Sequence, residues 1–320
     1  MISFVIPLHN EVENLATLHA ELADVIASAN LGPIEIVFID DGSKDGSWAL
    51  VEGLASGDDR IRGIKFRRNF GKAAALEAGF LAARGSIVFT LDGDLQDDPA
   101  EVPRFLTKLD EGYDVVSGWK RKRHDPWHKV GPSRVFNRLV STVTHCRLHD
   151  HNCGYKVYRR AVLDEVRIYG ELHRFVPALA ASRGFKVGEI EVHHRARRFG
   201  VSKYGASRFI KGLLDLATVR FLTRYGRRPL HPFGTTGLAA IGVGGVGLVA
   251  LAVASAIGWN HGSAVILAII ATGLVVVGVQ LLGLGLVAEL LTSYHFKATE
   301  TYSVAATVGT DSSREGKARS

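Results

Sequence analysis

Two long runs without a charged residue, at 234–257 and 263–288, constrain the fold of this chain more than any other feature of its sequence. Each run exceeds the about 20 residues that a helix needs to cross about 30 Å of hydrocarbon. Uncharged apolar runs of this length rarely belong to the core of a soluble domain. They therefore predict a hairpin of two transmembrane helices within residues 233–290.

The charges around these runs predict an orientation. The loop 258–262 between the runs has no Lys or Arg, whereas four arginines precede the first run: Arg220, Arg224, Arg227 and Arg228. Positive residues are retained on the cytoplasmic side of a membrane. We therefore expect a multi-pass protein of the cell (inner) membrane with its catalytic domain and both termini in the cytoplasm.

The remaining residues divide into three regions. Residues 206–232 mix apolar and basic side chains in the manner of amphipathic juxtamembrane helices. Residues 291–320 are expected to be a cytoplasmic tail with a disordered end. Residues 1–205 are expected to form the catalytic domain. Small residues in the apolar runs permit close helix contact, so a homo-oligomer stays open.

Within residues 1–205, short apolar runs alternate with amphipathic stretches. The predicted strands cover 2–6, 34–39, 61–66 and 87–91, and a fifth begins at 115. Pro7 is expected to end the first strand. Helical patterns separate the strands, and such repeated βα units predict an α/β fold with a mostly parallel sheet covered on both faces.

The end of the fourth predicted strand carries a candidate metal site. Asp92, Asp94 and Gln96 follow it closely and offer only oxygen donors. The carboxyl ends of parallel strands form the ligand-binding edge of an α/β sheet, and such donors suit Mg²⁺ or Mn²⁺ shared with a substrate phosphate. Taken alone, the stretch is also compatible with an acidic turn that caps a helix starting near Pro99.

The net charge and the cysteine content indicate which classes of binding partner to expect. The net charge of +7 suits an anionic membrane surface or a phosphorylated substrate. The basic cluster 120–123 has no interleaved stacking aromatics, so nucleic acid is not expected. Cys146 and Cys153 give no disulfide framework.

The two cysteines lie in a stretch that also contains His145, His149 and His151. Together the five side chains suggest zinc, but their spacing fits no familiar structural zinc pattern. Surface histidines beside a buried cysteine are the favoured interpretation.

Four motifs follow the first four strands in one order: Pro7-Leu8-His9-Asn10-Glu11, Asp40-Asp41-Gly42-Ser43, Asn69-Phe70-Gly71-Lys72 and Asp92-x-Asp94-x-Gln96. With the apolar hairpin, this set resembles the family 2 glycosyltransferases of the GT-A fold. It is most similar to the polyprenyl-phosphate glycosyltransferases, which include dolichol-phosphate mannose synthases and bacterial polyprenyl-phosphate glucosyltransferases. The resemblance covers residues 2–290 and implies a Rossmann-like GT-A domain. It also implies inverting transfer of one sugar from a nucleotide-sugar, of UDP-glucose type or GDP-mannose, to a membrane polyprenyl phosphate.

The resemblance also implies roles for individual residues on the donor side. Pro7, Asn10, Glu11 and Asp41 would surround the nucleotide base and ribose. Asp92, Gly93, Asp94 and Gln96 would form the diphosphate site, with Asp92, Asp94 and Gln96 holding Mg²⁺ or Mn²⁺. The family motif R-x-x-G-x-S-K matches residues 197–203, so Arg197 and Lys203 would contact the donor diphosphate. Lys72 is either a phosphate contact or a solvated residue of a first helical turn.

For the acceptor phosphate, the resemblance points to Arg121 and to the pair Lys129 and Ser133. Lys129 stands where mannose synthases tend to carry Arg, and lysine offers a point charge without bidentate geometry. Gly154 stands where some bacterial glucosyl relatives have an Asp, so a proposed catalytic base is missing. A phosphate acceptor is already ionised near pH 7 and needs positioning more than deprotonation.

Two other functions stay open from the sequence. One is transfer of a single sugar to another lipid or glycan acceptor, which the missing base and the basic acceptor segment disfavour. The other is a non-catalytic membrane scaffold that binds sugar nucleotides. The Q-x-x-R-W motif of processive polysaccharide synthases does not occur in the sequence, which argues against polymer synthesis.

Overall fold

The computed structural model of the protein describes residues 1–121, 127–166, 172–195, 207–225, 228–258 and 263–295. Its elements are β1 (Ile2–Leu8), α1 (Val12–Ser28), β2 (Ile34–Asp40), α2 (Ser47–Gly57), β3 (Ile61–Lys65), α3 (Lys72–Ala82), β4 (Ile87–Thr90), α4 (Val102–Asp110), β5 (Val115–Trp119), α5 (Trp127–Thr144), β6 (Lys156–Arg159), α6 (Arg160–Glu165), α7 (Val176–Ser182), β7 (Val187–Glu191), α8 (Ser207–Tyr225), α9 (Leu230–Ala256) and α10 (Ser263–His295). The chain divides into two compact units, Met1–Val219 and Arg220–Ser320. The predicted borders at residues 205, 232 and 290 stay predictions.

In the described part of the first unit, one sheet has the strand order β3-β2-β1-β4-β6-β5-β7. Neighbouring strands are parallel except at β6, which runs antiparallel to both β4 and β5. The predicted α/β fold with a mostly parallel sheet is confirmed. The chain moves from β1 to β2 on one side and reaches β4 on the other, so a crevice opens at the carboxyl ends of β1 and β4.

Pro7 lies inside β1, and the prediction that it ends the strand is wrong. β1 continues to Leu8, which pairs with Asp40 of β2, whereas its pairing with β4 stops at Val5 opposite Thr90. The Leu8 carbonyl accepts a hydrogen bond from Asp41 on the β2 side. By alternation, Pro7 faces the side where β4 has already ended, so its missing N–H removes no ladder hydrogen bond.

The apolar strands supply a core on each face of the sheet. Phe4 and Phe38 belong to the core that Leu18 of α1 and Phe105 of α4 complete. The intervening residues, such as Val5, point to the opposite core, which α3 and α7 cover. Successive strand residues alternate between faces. Burial of both faces therefore explains why the strands read as continuous apolar runs.

α9 and α10 correspond to the two uncharged runs. Leu230–Ala256 has a mean hydropathy of 2.2 and Ala264–Thr292 of 2.7, and only 11% of each apolar window is buried, unlike a core helix. A Cβ atom on Gly237 would lie 2.7 Å from the carbonyl oxygen of Gly278. This close backbone approach is typical of paired membrane helices. Both helices are long and apolar enough to cross a membrane.

Candidate functional site

The loops after β1 and β2 hold each other in place. Asn10 Oδ1 accepts the N–H of Lys44 at 2.8 Å, and Ser43 Oγ accepts the N–H of Asn10 at 2.9 Å. Asn10 has a φ of 59°, a left-handed conformation that asparagine tolerates better than most residues. Asn10 therefore joins the two loops.

Asp41 fixes the loop after β3. Its carboxylate accepts the N–H groups of Phe70 at 2.6 Å and of Gly71 at 2.9 Å. The turn after β2 requires glycine at position 42. Gly42 has a φ of 74°, and a Cβ there would lie 2.5 Å from the Arg68 carbonyl carbon. These contacts set where α3 begins, and with it the position of Lys72.

Lys72, the first residue of α3, forms an ion pair with Asp92, which lies just beyond β4. Burial opposes ionisation of Asp92, but the ammonium groups of Lys72, Lys120 and Lys156 outweigh it and lower the pKa of Asp92 from 3.8 to about 2. Burial likewise opposes the charge on Lys72, and Asp92 raises its pKa. Lys72 is thus a charged residue of the site with a side chain that is 37% exposed, and its contact with a phosphate stays a prediction.

Lys120 and Lys156 are cations of this site that the sequence interpretation missed. The Nζ atom of Lys120 lies 2.8 Å from Asp97 Oδ1, and the two side chains are 13% and 0% exposed. Against the effect of burial, Asp97 raises the pKa of Lys120. Lys156 is buried at the start of β6 and donates a hydrogen bond to the Cys153 carbonyl. Burial lowers the pKa of Lys156.

Arg121, the predicted acceptor contact, lies on the surface. Its side chain is 62% exposed and its guanidinium lies 3.2 Å from a Glu191 carboxylate oxygen. Lys120, the preceding residue, instead contacts the buried carboxylate of Asp97.

Asp94 and Gln96 lie on a tight turn. Asp94 is buried, its Oδ1 accepts the N–H of Gln96 at 3.2 Å, and Leu95 between them has a φ of 60°. The capping role proposed for this stretch belongs to Asp98, whose Oδ1 accepts the N–H of Ala100 at 3.0 Å. Helix capping therefore does not account for Asp92 and Asp94.

The segment after β7 returns to this turn. The N–H of Arg195 donates to the Gln96 carbonyl at 3.1 Å, and its guanidinium pairs with Asp98 at 2.8 Å. This contact brings the chain to the site two residues before the predicted R-x-x-G-x-S-K motif. Arg197 and Lys203 themselves lie outside the described residues, and so do the side chains of Lys129 and Ser133 on α5.

An open cavity of about 290 Å³ lies at the strand ends. It is lined by Pro7, Leu8, His9, Glu11, Asp41, Asn69, Gly71, Lys72, Ala75, Asp92, Gly93 and Asp94. Of the predicted nucleotide-sugar contacts that the structure describes, the cavity brings together Pro7, Glu11, Asp41, Lys72, Asp92, Gly93 and Asp94, and Asn10 does not line it. Gln96 and Arg121 do not line the cavity.

The donors at the end of β4 fit a hard divalent cation. Asp92, Asp94 and Gln96 present oxygen atoms, and burial raises the pKa of the Cys153 thiol to about 12, so no thiolate competes. Within the described ranges, no group of three or more His, Cys, Asp or Glu residues could hold a metal ion. A cation here would take further oxygen ligands from a substrate phosphate.

The expectation of surface histidines is wrong for His151. This side chain is buried, its Nε2 lies 3.0 Å from Ser141 Oγ, and burial lowers its pKa to about 4. His149 is exposed and stacks on Trp119 at a ring distance of 4.2 Å. His151 differs because Ser141 gives its Nε2 atom a hydrogen-bond partner in the interior, whereas its buried Nδ1 atom has none among the described residues.

A mostly parallel sheet with an acidic, metal-compatible cavity at its carboxyl edge is the arrangement of the GT-A glycosyltransferases. The sequence model of the family described as "Glycosyl transferase family 2" matches residues 3–167, and the chain belongs to this family. The chain is 34% identical over 322 residues to dodecaprenyl-phosphate galacturonate synthase of Rhizobium johnstonii, covering 95% of this chain and 91% of the relative. It is 35% identical over 294 residues to undecaprenyl-phosphate 4-deoxy-4-formamido-L-arabinose transferase of Aeromonas hydrophila subsp. hydrophila, covering 90% and 87%. The resemblance drawn from the strand-end motifs is confirmed.

Solved structures support the fold. Glucosyl-3-phosphoglycerate synthase from Mycobacterium tuberculosis, in complex with UDP, has a TM-score of 0.53 and 21% identity, covering 69% of this chain and 80% of that one. The same enzyme with Mn²⁺, UDP and phosphoglyceric acid has a TM-score of 0.53 and 20% identity, covering 69% and 78%.

Proposed function

We propose that this protein transfers a single sugar, with inversion, from a nucleotide-sugar to a polyprenyl phosphate in the membrane. Both relatives are named for products or reactions of polyprenyl phosphate. The observation that carries the proposal is the cavity at the strand ends, where Asp92 and Asp94 lie beside Lys72. The donor is a nucleotide-sugar of UDP-glucose type or GDP-mannose.

On the donor side, the problem is the charge that develops on the leaving nucleoside diphosphate. Bound to Asp92, Asp94 and Gln96, Mg²⁺ or Mn²⁺ would supply Lewis-acid stabilisation of that charge. Lys72 contributes a fixed cation on the cavity wall, held by its ion pair with Asp92. The hydrogen bonds from the Phe70 and Gly71 N–H groups to Asp41 keep the start of α3 in place, so the Lys72 ammonium needs no reorganisation during transfer.

On the acceptor side, a phosphate monoester carries about −1.5 to −2 charges near pH 7. It needs charge compensation and orientation, which basic residues beyond β5 can provide. Lys120 joins the predicted contacts Arg121, Lys129 and Ser133 as a candidate for this role. Attack from the face opposite the diphosphate inverts the anomeric centre.

The membrane location follows from the acceptor and from the second unit. A polyprenyl phosphate is confined to the bilayer, and two mostly exposed apolar helices provide an anchor in it. We propose a multi-pass protein of the inner membrane, with residues 1–205 as the cytoplasmic catalytic domain and the hairpin within 233–290.

The test is a transfer assay with purified protein in detergent, undecaprenyl phosphate and Mn²⁺ or Mg²⁺. Radiolabelled UDP-glucose, UDP-galacturonic acid and GDP-mannose are supplied in turn, and the lipid product is separated by thin-layer chromatography. We expect labelled lipid with one donor, lost in Asp94→Ala and kept in Asp24→Ala, a change at an exposed carboxylate of α1.

Three results would contradict the proposal. Transfer to polyprenol but not to its phosphate would favour a lipid-alcohol acceptor. Nucleotide binding without transfer from any of the three donors would favour a non-catalytic scaffold. A product that retains the anomeric configuration of the donor, read by NMR, would exclude single in-line displacement.

A further inference from the structure

Gly154 faces the Asp92 carboxylate and leaves no room for a side chain. A Cβ atom on Gly154 would lie 2.8 Å from both carboxylate oxygens of Asp92 and 3.0 Å from its carboxyl carbon. Such distances are well inside van der Waals contact, so any residue other than glycine forces one of the two groups to move.

The backbone of Gly154 is held from both sides and cannot easily retreat. Thr90 Oγ1 donates to the Gly154 carbonyl at 2.7 Å. The preceding carbonyl, of Cys153, accepts the buried ammonium of Lys156, and the following one, of Tyr155, accepts the N–H of Gly118 at 2.9 Å. A side chain at 154 would therefore displace Asp92 and leave the backbone of residue 154 in place.

Displacing Asp92 matters because its carboxylate has a defined partner. One oxygen pairs with Lys72, and the Asp92 N–H donates to the Asp97 carboxylate at 3.3 Å. Movement of the carboxylate loosens the Lys72 pair on the cavity wall. It also shifts a predicted metal ligand, because both groups line the same cavity.

We propose that Gly154 is a positioning residue, which acts by giving the Asp92 carboxylate the space it needs to face Lys72 and the cavity. This inference rests on the proposed transferase function. Any side chain at position 154 would overlap the present position of the Asp92 carboxylate.

The central variant is Gly154→Ala, compared with Gly53→Ala. Gly53 lies in α2 with open space around the position of its Cβ, so it reports the general effect of adding a methyl group. For Gly154→Ala we expect kcat to fall about 100-fold, the loss typical of a misplacement of about 1 Å at a reactive centre. The KM for undecaprenyl phosphate should stay within about twofold of the wild-type value. In an electron paramagnetic resonance titration with UDP present, the Mn²⁺ concentration for half-maximal binding should rise about tenfold.

A double-mutant cycle separates this role from a general packing defect. Asp92→Ala removes the group that Gly154→Ala overlaps, so the double variant should show no further fall in Tm or in Mn²⁺ affinity beyond Asp92→Ala. The Tm values are measured in EDTA and need no activity. If Gly154→Ala fails to fold, the double variant should still fold like Asp92→Ala.

Either of two results overturns the inference. One is wild-type kcat and Mn²⁺ affinity in Gly154→Ala. The other is a loss of Tm or Mn²⁺ affinity of equal size with and without the Asp92 side chain, because Gly154 would then act through another neighbour. Failure of the proposed function is seen separately, as wild-type protein that transfers no sugar.

Discussion

Replacing Lys72 with methionine tests the electrostatics of the cavity. Methionine keeps most of the aliphatic stem but removes the ammonium group that pairs with Asp92. The carboxylate would keep Lys120 and Lys156 as neighbours, so we expect the fold to survive and the pKa of Asp92 to rise toward its ordinary value. Because Lys72 lines the cavity, transfer should fall by about 100- to 1000-fold, the size of effect that follows loss of one preorganised electrostatic donor.

The size of the stability change follows from the pKa of Asp92. Its depression from 3.8 to about 2 corresponds to about 2 kcal/mol of stabilisation of the folded state. This is the net result after burial has opposed the three lysines. Because the Lys72 side chain is 37% exposed, solvent screening limits the expected effect of removing its ammonium group to about 1 kcal/mol. For a domain of this size, about 1 kcal/mol lowers Tm by about 2–4 °C.

The pKa of Asp92 predicts how the difference in Tm between wild type and Lys72→Met changes with pH. The pKa of Asp92 is lower in the folded state, so its contribution is fully present above pH 4 and is lost as the pH falls toward 2. Thermal unfolding in detergent should show a gap between wild type and Lys72→Met at pH 7 that narrows at pH 3. Lys186→Met, at an exposed lysine just before β7, is the control and should show no gap. A gap of equal size at both pH values, or an equal loss in the control, would refute the electrostatic reasoning.

Three further predictions follow from other contacts. Asp41→Ala removes two charge-assisted hydrogen bonds to the Phe70–Gly71 backbone, so Tm should fall by several degrees and the KM for the donor should rise. An unchanged KM would show that these hydrogen bonds do not position the donor site. EDTA should abolish transfer and Mn²⁺ should restore it in the radiolabel assay, whereas full activity in excess EDTA would exclude a metal at Asp92 and Asp94. Glu289→Ala removes the carboxylate that accepts the Leu230 N–H at 3.0 Å and should cost about 1 kcal/mol in detergent unfolding; an unchanged Tm would show that the contact does not stabilise α9.

Much of the donor site could be predicted because it depends on chain order. Pro7 lies near the carboxyl end of β1, Asp41 and Asp92 follow β2 and β4 within two residues, and Lys72 begins the helix after β3. The carboxyl ends of parallel strands meet at one edge of the sheet. A polar residue near the carboxyl end of such a strand, or at the start of the helix that follows it, therefore has a predictable place. The cavity lining accordingly contains all four of these residues.

The acceptor side was less predictable because it depends on β5 and β6, and β6 was not predicted. Its antiparallel course between β4 and β5 carries Lys156 and Gly154 to Asp92. The family resemblance pointed to Arg121 among adjacent basic residues, whereas the structure brings Lys120 to the buried Asp97 carboxylate and leaves Arg121 62% exposed. Adjacent cations look equivalent in sequence and differ only in the face to which they point.

The sequence by itself determined the parts of this protein that depend on periodicity and order. These are the α/β class, the two long apolar helices and the set of polar groups at the strand ends. Only the tertiary structure decided that Lys72 pairs with Asp92, that Lys120 pairs with the buried Asp97 and that Gly154 makes room for a carboxylate. The physical reason is that these contacts join residues distant in sequence over a few ångströms. They depend on the hydrogen-bond register between strands and on the face to which each side chain points, and the local residue pattern specifies neither of these.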